Sequence, residues 1–211
     1  MATPGANFCL ARCCKAAALT LAIGLSTVWA VGSVKGSAAE GTAPGTRGHA
    51  LQVRDPHVVV LKSKRLLHLF DGADLVRTYP IALGPNPVGD KVRLGDGRTP
   101  EGLFRICNKK LDSQYERFLG IDYPTSDVAR RGLSAGLLTV GEARSILDAA
   151  VQERCPPWTT PVGGAIGIHG YGTDGTDRSG DWTAGCIAVS NAHLRELFGV
   201  LRIGDRVEIL P

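Results

Sequence analysis

From His57 onward the sequence is a succession of short apolar runs, each closed by turn residues, with no regular strand–helix alternation between them. HVVVLK is followed by RLLHLF and then, after Asp71-Gly72, by DLVRTYPIAL. An Asp-Gly pair between two such runs is a hairpin signal, because a tight hairpin needs residues that tolerate positive φ. GLFRIC and FLGIDYP read as further strands, as do AIGIHG and CIAVS, and DRVEIL closes the chain. Between GLFRIC and the hairpin region lies a long Gly/Pro/Asp-rich loop, Gly84–Glu101. Helical spacing is confined to a few places. Thr139 and Glu142 have the spacing of a capping box, and Ala143, Ile146, Leu147, Ala150 and Val151 then fall on one helical face, with Pro156 and Pro157 stopping it. Ser190 is placed to cap a short helix over 191–198. Strands without βα alternation predict a mainly β fold, a β-sandwich or partly open barrel with two or three inserted helices. Gly 27 and Pro 12 with only 6% aromatics agree with a turn-rich chain.

The N-terminus differs in kind. Arg12 and Lys15 precede an apolar run from Ala16 to about Val34, and small residues follow at Ser37, Ala38 and Ala39. That order is the pattern of a secretory signal cut after Ala39. Thr20, Gly24, Ser26, Thr27, Gly32 and Ser33 interrupt the run, which weakens it as a permanent span; an uncleaved anchor at the inner membrane is the alternative. Residues 1–39 are thus expected to be a signal peptide or N-terminal anchor, 40–56 a linker, and 57–211 the functional domain. Residues 1–39 hold three bases and no acid, which leaves 21 bases and 20 acids, a charge of +1, for the rest of the +4 chain. Nucleic-acid binding needs clustered Lys and Arg, so no nucleic-acid partner is expected.

Export places the domain in an oxidising compartment. Cys9, Cys13 and Cys14 belong to the N-terminal segment, and Cys107, Cys155 and Cys186 remain. An odd count leaves one thiol unpaired. Cys107 and Cys155 are either a bridge, with Cys186 free, or two buried apolar residues.

His169 stands at the end of AIGIHG, and Cys186 seventeen positions later at the start of CIAVS, with turn formers between them. Two strand ends joined by such a loop can lie side by side. A thiol is mostly protonated at neutral pH; an adjacent imidazole can take its proton, supply a thiolate, and later protonate a leaving amine. Gly185 lets the backbone approach a substrate, and the Gly185 and Cys186 amides are candidates to hold an oxyanion. No acid flanks His169, so the Gly170 carbonyl is the candidate that orients the ring. His169, Asp174, Cys186 and His193 match no metal-binding spacing, so no metal or other cofactor is expected. His57, His68 and His193 read as structural, and packing is the simpler reading of Tyr115, Trp158 and Trp182. Asp181 and Thr183 flank the site.

His169-Gly170 followed by Thr183, Gly185, Cys186 and Asn191 resembles the signature of the L,D-transpeptidase catalytic domain (YkuD) family: H-G, a loop, then [S/T]-H-G-C-x-R-x-x-N. Pro87, Gly89, Gly95-Asp96-Gly97 and Thr99-Pro100-Glu101-Gly102 resemble that family's early segment. The likeness spans about 57–210. Ala184 stands where the signature has its second His and Ala188 where it has Arg, as in a periplasmic Gram-negative branch. The resemblance implies a periplasmic, wall-associated enzyme acting on peptidoglycan stem peptides. Cys186 would be the nucleophile and His169 the proton carrier, cutting after diaminopimelate and forming 3→3 crosslinks. It also implies acylation by carbapenems. The alternatives are a same-site hydrolase, with water as acceptor, and a non-catalytic wall-binding domain with Cys186 in a disulfide.

Overall fold

The computed structural model describes residues 51–172 and 178–211; the expected signal, the first part of the expected linker and Asp174 lie outside them. Three strands open the domain: β1 (Pro56–Leu61), β2 (Leu66–Asp71) and β3 (Asp74–Pro80). After the Gly/Pro-rich loop come β4 (Gly102–Ser113) and β5 (Glu116–Ile121), then helices α1 (Ser126–Ser134) and α2 (Val140–Val151). Two short strands, β6 (Gly167–His169) and β7 (Ile187–Ala188), precede helix α3 (Asn191–Val200) and β8 (Arg206–Leu210).

All eight strands form one sheet in the order β3-β2-β1-β8-β4-β5-β6-β7. The pairs β1–β2, β2–β3 and β4–β5 are antiparallel hairpins, β4–β8 and β5–β6 are antiparallel pairs of strands distant in sequence, and β1–β8 and β6–β7 are parallel. The sheet curls until its ends meet: Ala82, just after β3, forms an antiparallel bridge to Ala188 of β7. The result is the mainly β, partly open barrel with inserted helices that the strand pattern predicts.

Period-two alternation explains the curl's inner face. Val58 and Val60, Leu67 and Leu69, Val207 and Ile209 point inward and are buried, while their neighbours on each strand are not. Ala143 and Ile146 of α2, Val128 and Ala129 of α1, and Leu194, Leu197 and Phe198 of α3 fill the same core. Each fully buried aliphatic side chain contributes about 1.5–3 kcal/mol.

The Thr139–Glu142 capping box is formed reciprocally, as its spacing predicts. Two elements go beyond the sequence reading. Helix α1, capped by Thr125, stands where no helix is expected, and β4 runs six residues past Cys107 to Ser113. Cys107 and Cys155 are bonded as a disulfide, and Cys186 is the free cysteine among the described residues.

Candidate active site

Strands β6 and β7 decide where the two candidate groups point. Their parallel register pairs Ile168 with Ile187 and His169 with Ala188. Ile168 and Ile187 are fully buried in the core. Alternation then turns His169 and Ala188 to the opposite face, and Cys186, one residue before β7, to that same face. The pairing is only two residues long, so the isoleucines hold the register. A slip by one would carry His169 into the core.

His169 is 3% exposed. Its Nδ1 donates to the Gly170 carbonyl at 2.7 Å, which leaves Nε2 as the ring's acceptor nitrogen. Tyr115, at the tip of the β4–β5 hairpin, stacks on the ring with centroids 4.4 Å apart. Trp182 meets it edge-on at 5.6 Å. Burial lowers the His169 pKa below its ordinary value of 6.5; the bond to Gly170 opposes this, and the nearby Arg178 charge adds to it. The ring is therefore neutral at neutral pH and able to accept a proton. The Arg178 guanidinium lies over Trp182, 4.6 Å from the ring centroid.

Cys186 is partly exposed. Its Sγ donates to the Ala165 carbonyl at 3.4 Å. Burial pushes the thiol up to about 11, against the opposing pull of the Gly167 amide and the Lys91 charge. Left alone, then, this sulfur is a thiol, and a thiolate requires a base.

The turn that carries Cys186 is fixed by side chains distant in sequence. The Asp181 carboxylate accepts from Arg65 Nε at 3.0 Å, from Arg65 Nη2 at 2.6 Å and from the Leu83 amide at 2.9 Å. Such forked, charge-assisted pairs fix orientation as well as distance. The Thr183 amide donates to the Leu83 carbonyl at 2.9 Å, and its hydroxyl donates to the Cys186 carbonyl at 2.7 Å. The Gly185 amide donates to Thr183 Oγ1 at 3.2 Å, so of the two amides considered for an oxyanion, that of Gly185 already has a partner inside the turn. Gly185 has φ +129, and a Cβ there would stand 2.5 Å from the Arg98 carbonyl oxygen. Only glycine fits both the dihedral and the gap. Asn191, first residue of α3, accepts from the Tyr171 amide and donates to the Gly172 carbonyl, both at 2.8 Å, anchoring the chain just beyond His169.

The structure thus places His169-Gly170 and Gly185-Cys186 at the paired strands β6 and β7, with Thr183, Asp181 and Asn191 bracing the segments on either side. Tyr115 and Trp182, expected as packing, pack on the imidazole itself; Trp158 packs on Phe118 instead, at 5.9 Å. His193 lies against Tyr79, with ring centroids 5.1 Å apart. Arg65 is absent from the sequence reading. It lies 116 positions from its partner Asp181, and no local pattern announces such a pair.

Comparison with known proteins bears on this arrangement. The family model of the L,D-transpeptidase catalytic domain, YkuD, matches residues 55–209. No curated protein sequence matches the chain. Among solved structures, the helical cell shape determining protein Pgp2 from Campylobacter jejuni is similar in fold. A point mutant of it superposes with a TM-score of 0.52 at 22% identity, covering 75% of this chain and 48% of that one. The unmutated protein gives 0.51 at 22% identity, covering 73% and 46%. An L,D-transpeptidase from Enterococcus faecium gives 0.44 at 16%, covering 75% and 50%. The chain spans about half the length of these structures.

Proposed function

The chain belongs to the L,D-transpeptidase catalytic domain family, and from that premise we propose that it is an exported cysteine acyltransferase of peptidoglycan stem peptides. The observation that carries this reading is that two adjacent parallel strands hold, on one face, a buried imidazole whose Nδ1 proton is committed to the Gly170 carbonyl and, one residue before the second strand, a free, partly exposed thiol. His169 Nε2 takes the proton from Cys186 Sγ. The thiolate attacks the carbonyl at the L-centre of diaminopimelate in a tetrapeptide donor. The Cys186 amide holds the oxyanion, joined by the Gly185 amide if it leaves Thr183 Oγ1. The tetrahedral intermediate collapses, the C–N bond breaks, and D-alanine leaves with the proton from His169. A side-chain amine of a second stem peptide then attacks the thioester, yielding a 3→3 crosslink and free Cys186.

Tyr115 and Trp182 shield the imidazole from bulk water, which keeps it neutral and fixes the plane in which Nε2 lies. With water as acceptor the same acyl-enzyme gives a carboxypeptidase. Residues 1–39 direct the domain to the periplasm or hold it at the inner membrane, and 40–56 link them to it. Among the described residues, no helix is long and apolar enough to cross a membrane.

Incubation with disaccharide tetrapeptides, read by mass spectrometry, tests the reading. Crosslinked dimers are expected from the wild type and none from Cys186→Ala. Free D-alanine without dimers identifies the hydrolase. Product formation by Cys186→Ala overturns the mechanism.

A further inference from the structure

The nucleophile turn Thr183-Ala184-Gly185-Cys186-Ile187-Ala188 carries no charged side chain. Any field that favours a thiolate must come from outside it. Lys91, in the Gly/Pro-rich loop, is 3% exposed, and lysine is almost never buried to that degree unless paired. Its Nζ donates to Asp96 Oδ1 at 2.7 Å and to the Arg93 carbonyl at 3.2 Å. Asp96, the centre of Gly95-Asp96-Gly97, also accepts from the amides of Val92, Arg93 and Arg98 at 2.8, 3.1 and 3.0 Å. Burial alone would raise its carboxyl, but Lys91 and the three amides bring it down to about 2. The Asp96 carboxyl is ionised throughout the neutral range.

This pair reaches the turn by two routes. Arg98, whose amide binds Asp96, sets its carbonyl oxygen 2.5 Å from the Cβ position of Gly185. On the other side, Lys91 Cε lies 2.7 Å from the Cβ position of Gly163, which has φ +94. Gly163 is fastened to Thr160 by its amide at 2.8 Å and its carbonyl at 2.6 Å. Two residues further on, the Ala165 carbonyl receives the Cys186 thiol. A buried ion pair is an expensive way to brace a loop, since an apolar pair of similar volume would serve as well or better.

We propose that Lys91 is a positioning residue for the thiol chemistry, its buried ammonium, held by Asp96, favouring the thiolate of Cys186 over the thiol. The inference rests on the reading of Cys186 as the nucleophile. The proton moves from Sγ to His169 Nε2; Lys91 neither gives nor takes one, and stabilises the negative charge left on sulfur. Among the described residues, the other charged groups around the site include the His169 imidazolium formed in that step, Arg178 beside the imidazole, and the Arg65–Asp181 pair at the far end of the turn.

The test is the pH dependence of iodoacetamide alkylation on the full chain, read at Cys186 by peptide mass spectrometry so that Cys9, Cys13 and Cys14 do not contribute. No stem peptide is needed, so the result stands apart from the success or failure of the crosslinking assay. Lys91→Met moves the Cys186 midpoint up by at least about half a unit, slowing alkylation at neutral pH about threefold or more. Asp96→Asn leaves the ammonium uncompensated and moves the midpoint down. Both variants lower the melting temperature, so a merely structural role would shift both in one direction. An unchanged midpoint in folded Lys91→Met, or shifts of the same sign in the two variants, overturns the proposal. If Lys91→Met does not fold, Asp96→Asn alone decides: a downward midpoint supports the role, and an unchanged or raised one overturns it.

Discussion

Two corners of the domain, one on the β4 side of β5 and one on the β6–β7 side, hold its cysteines in contrasting ways. At one, Cys107 and Cys155 are joined covalently beside a cavity of about 590 Å³ lined by Arg105, Asp122, Thr125, Ile146 and Arg154 among others. At the other, Cys186 is free and its turn is held by hydrogen bonds, the Arg65–Asp181 ion pair, close backbone approaches and packing against the core, with no covalent link. That cavity is not where the candidate chemistry lies. It offers volume, but its arginines and carboxylates stand among themselves with no base beside a nucleophile. The Cys186 corner offers a fixed arrangement of donors, acceptors and one neutral imidazole. Reactivity here depends on which lone pairs are left over after the structural hydrogen bonds are made, and open space does not report that.

If the corners differ in this way, changes at the Cys186 corner act mainly on rate and changes at the disulfide corner mainly on stability. The largest effect is expected from His169→Gln, which keeps a polar side chain but removes the proton carrier. Turnover should drop by about 10²–10⁴-fold, with the melting temperature little changed. A drop below tenfold would mean that another group activates the thiol. Next, Gly185→Ala forces a Cβ toward the Arg98 carbonyl at φ +129. Displacing the nucleophile by even about 1 Å costs on the order of a hundredfold in rate, and the strained dihedral costs about 1–3 kcal/mol; steady-state kinetics and thermal unfolding of one variant read both.

Cys107→Ser with Cys155→Ser reverses the pattern. Opening a bridge between residues 48 positions apart lowers stability by about 2–4 kcal/mol. The rate at saturating substrate stays as in the wild type, and an equal loss of rate would erase the distinction between the corners. The smallest effect is in pH. Because burial holds the His169 pKa below 6.5, the ring stays neutral as pH falls to that value. Activity should therefore persist to pH 6.5 and decline only below it, whereas an acid limb centred above 6.5 would mean that the imidazole is not shielded.

The strand hairpins, the capping box at Thr139 and the side-by-side strand ends that carry His169 and Cys186 were legible because each rests on local spacing: alternation, a cap, a turn-rich loop between two strand ends. What escaped was written in contacts between distant segments. The Asn108–Ser113 half of β4 is largely polar (NKKLDS), and its strand identity comes from pairing with β5. Helix α1 buries only Val128, Ala129 and Gly132, too few apolar positions to show a helical period. Tyr115 becomes the cover of His169 only because β4 and β5 form a hairpin that reaches it. Arg65 meets Asp181 only once the sheet has curled far enough for Ala82 to bridge Ala188. The Gly95-Asp96-Gly97 stretch was visible as a turn, but its role as the receptor of a buried lysine depends on Lys91 folding back onto it.

The central claim is that one sulfur, deprotonated by the neighbouring imidazole, forms the acyl-enzyme. Intact-mass analysis of the protein quenched in acid during turnover of a tetrapeptide donor tests it most directly. The expected result is a protein heavier by the tripeptide acyl group, with the added mass mapped to Cys186, absent in Cys186→Ala and accumulating more slowly in His169→Gln. Release of D-alanine at the wild-type rate with no mass added at Cys186 would contradict the account.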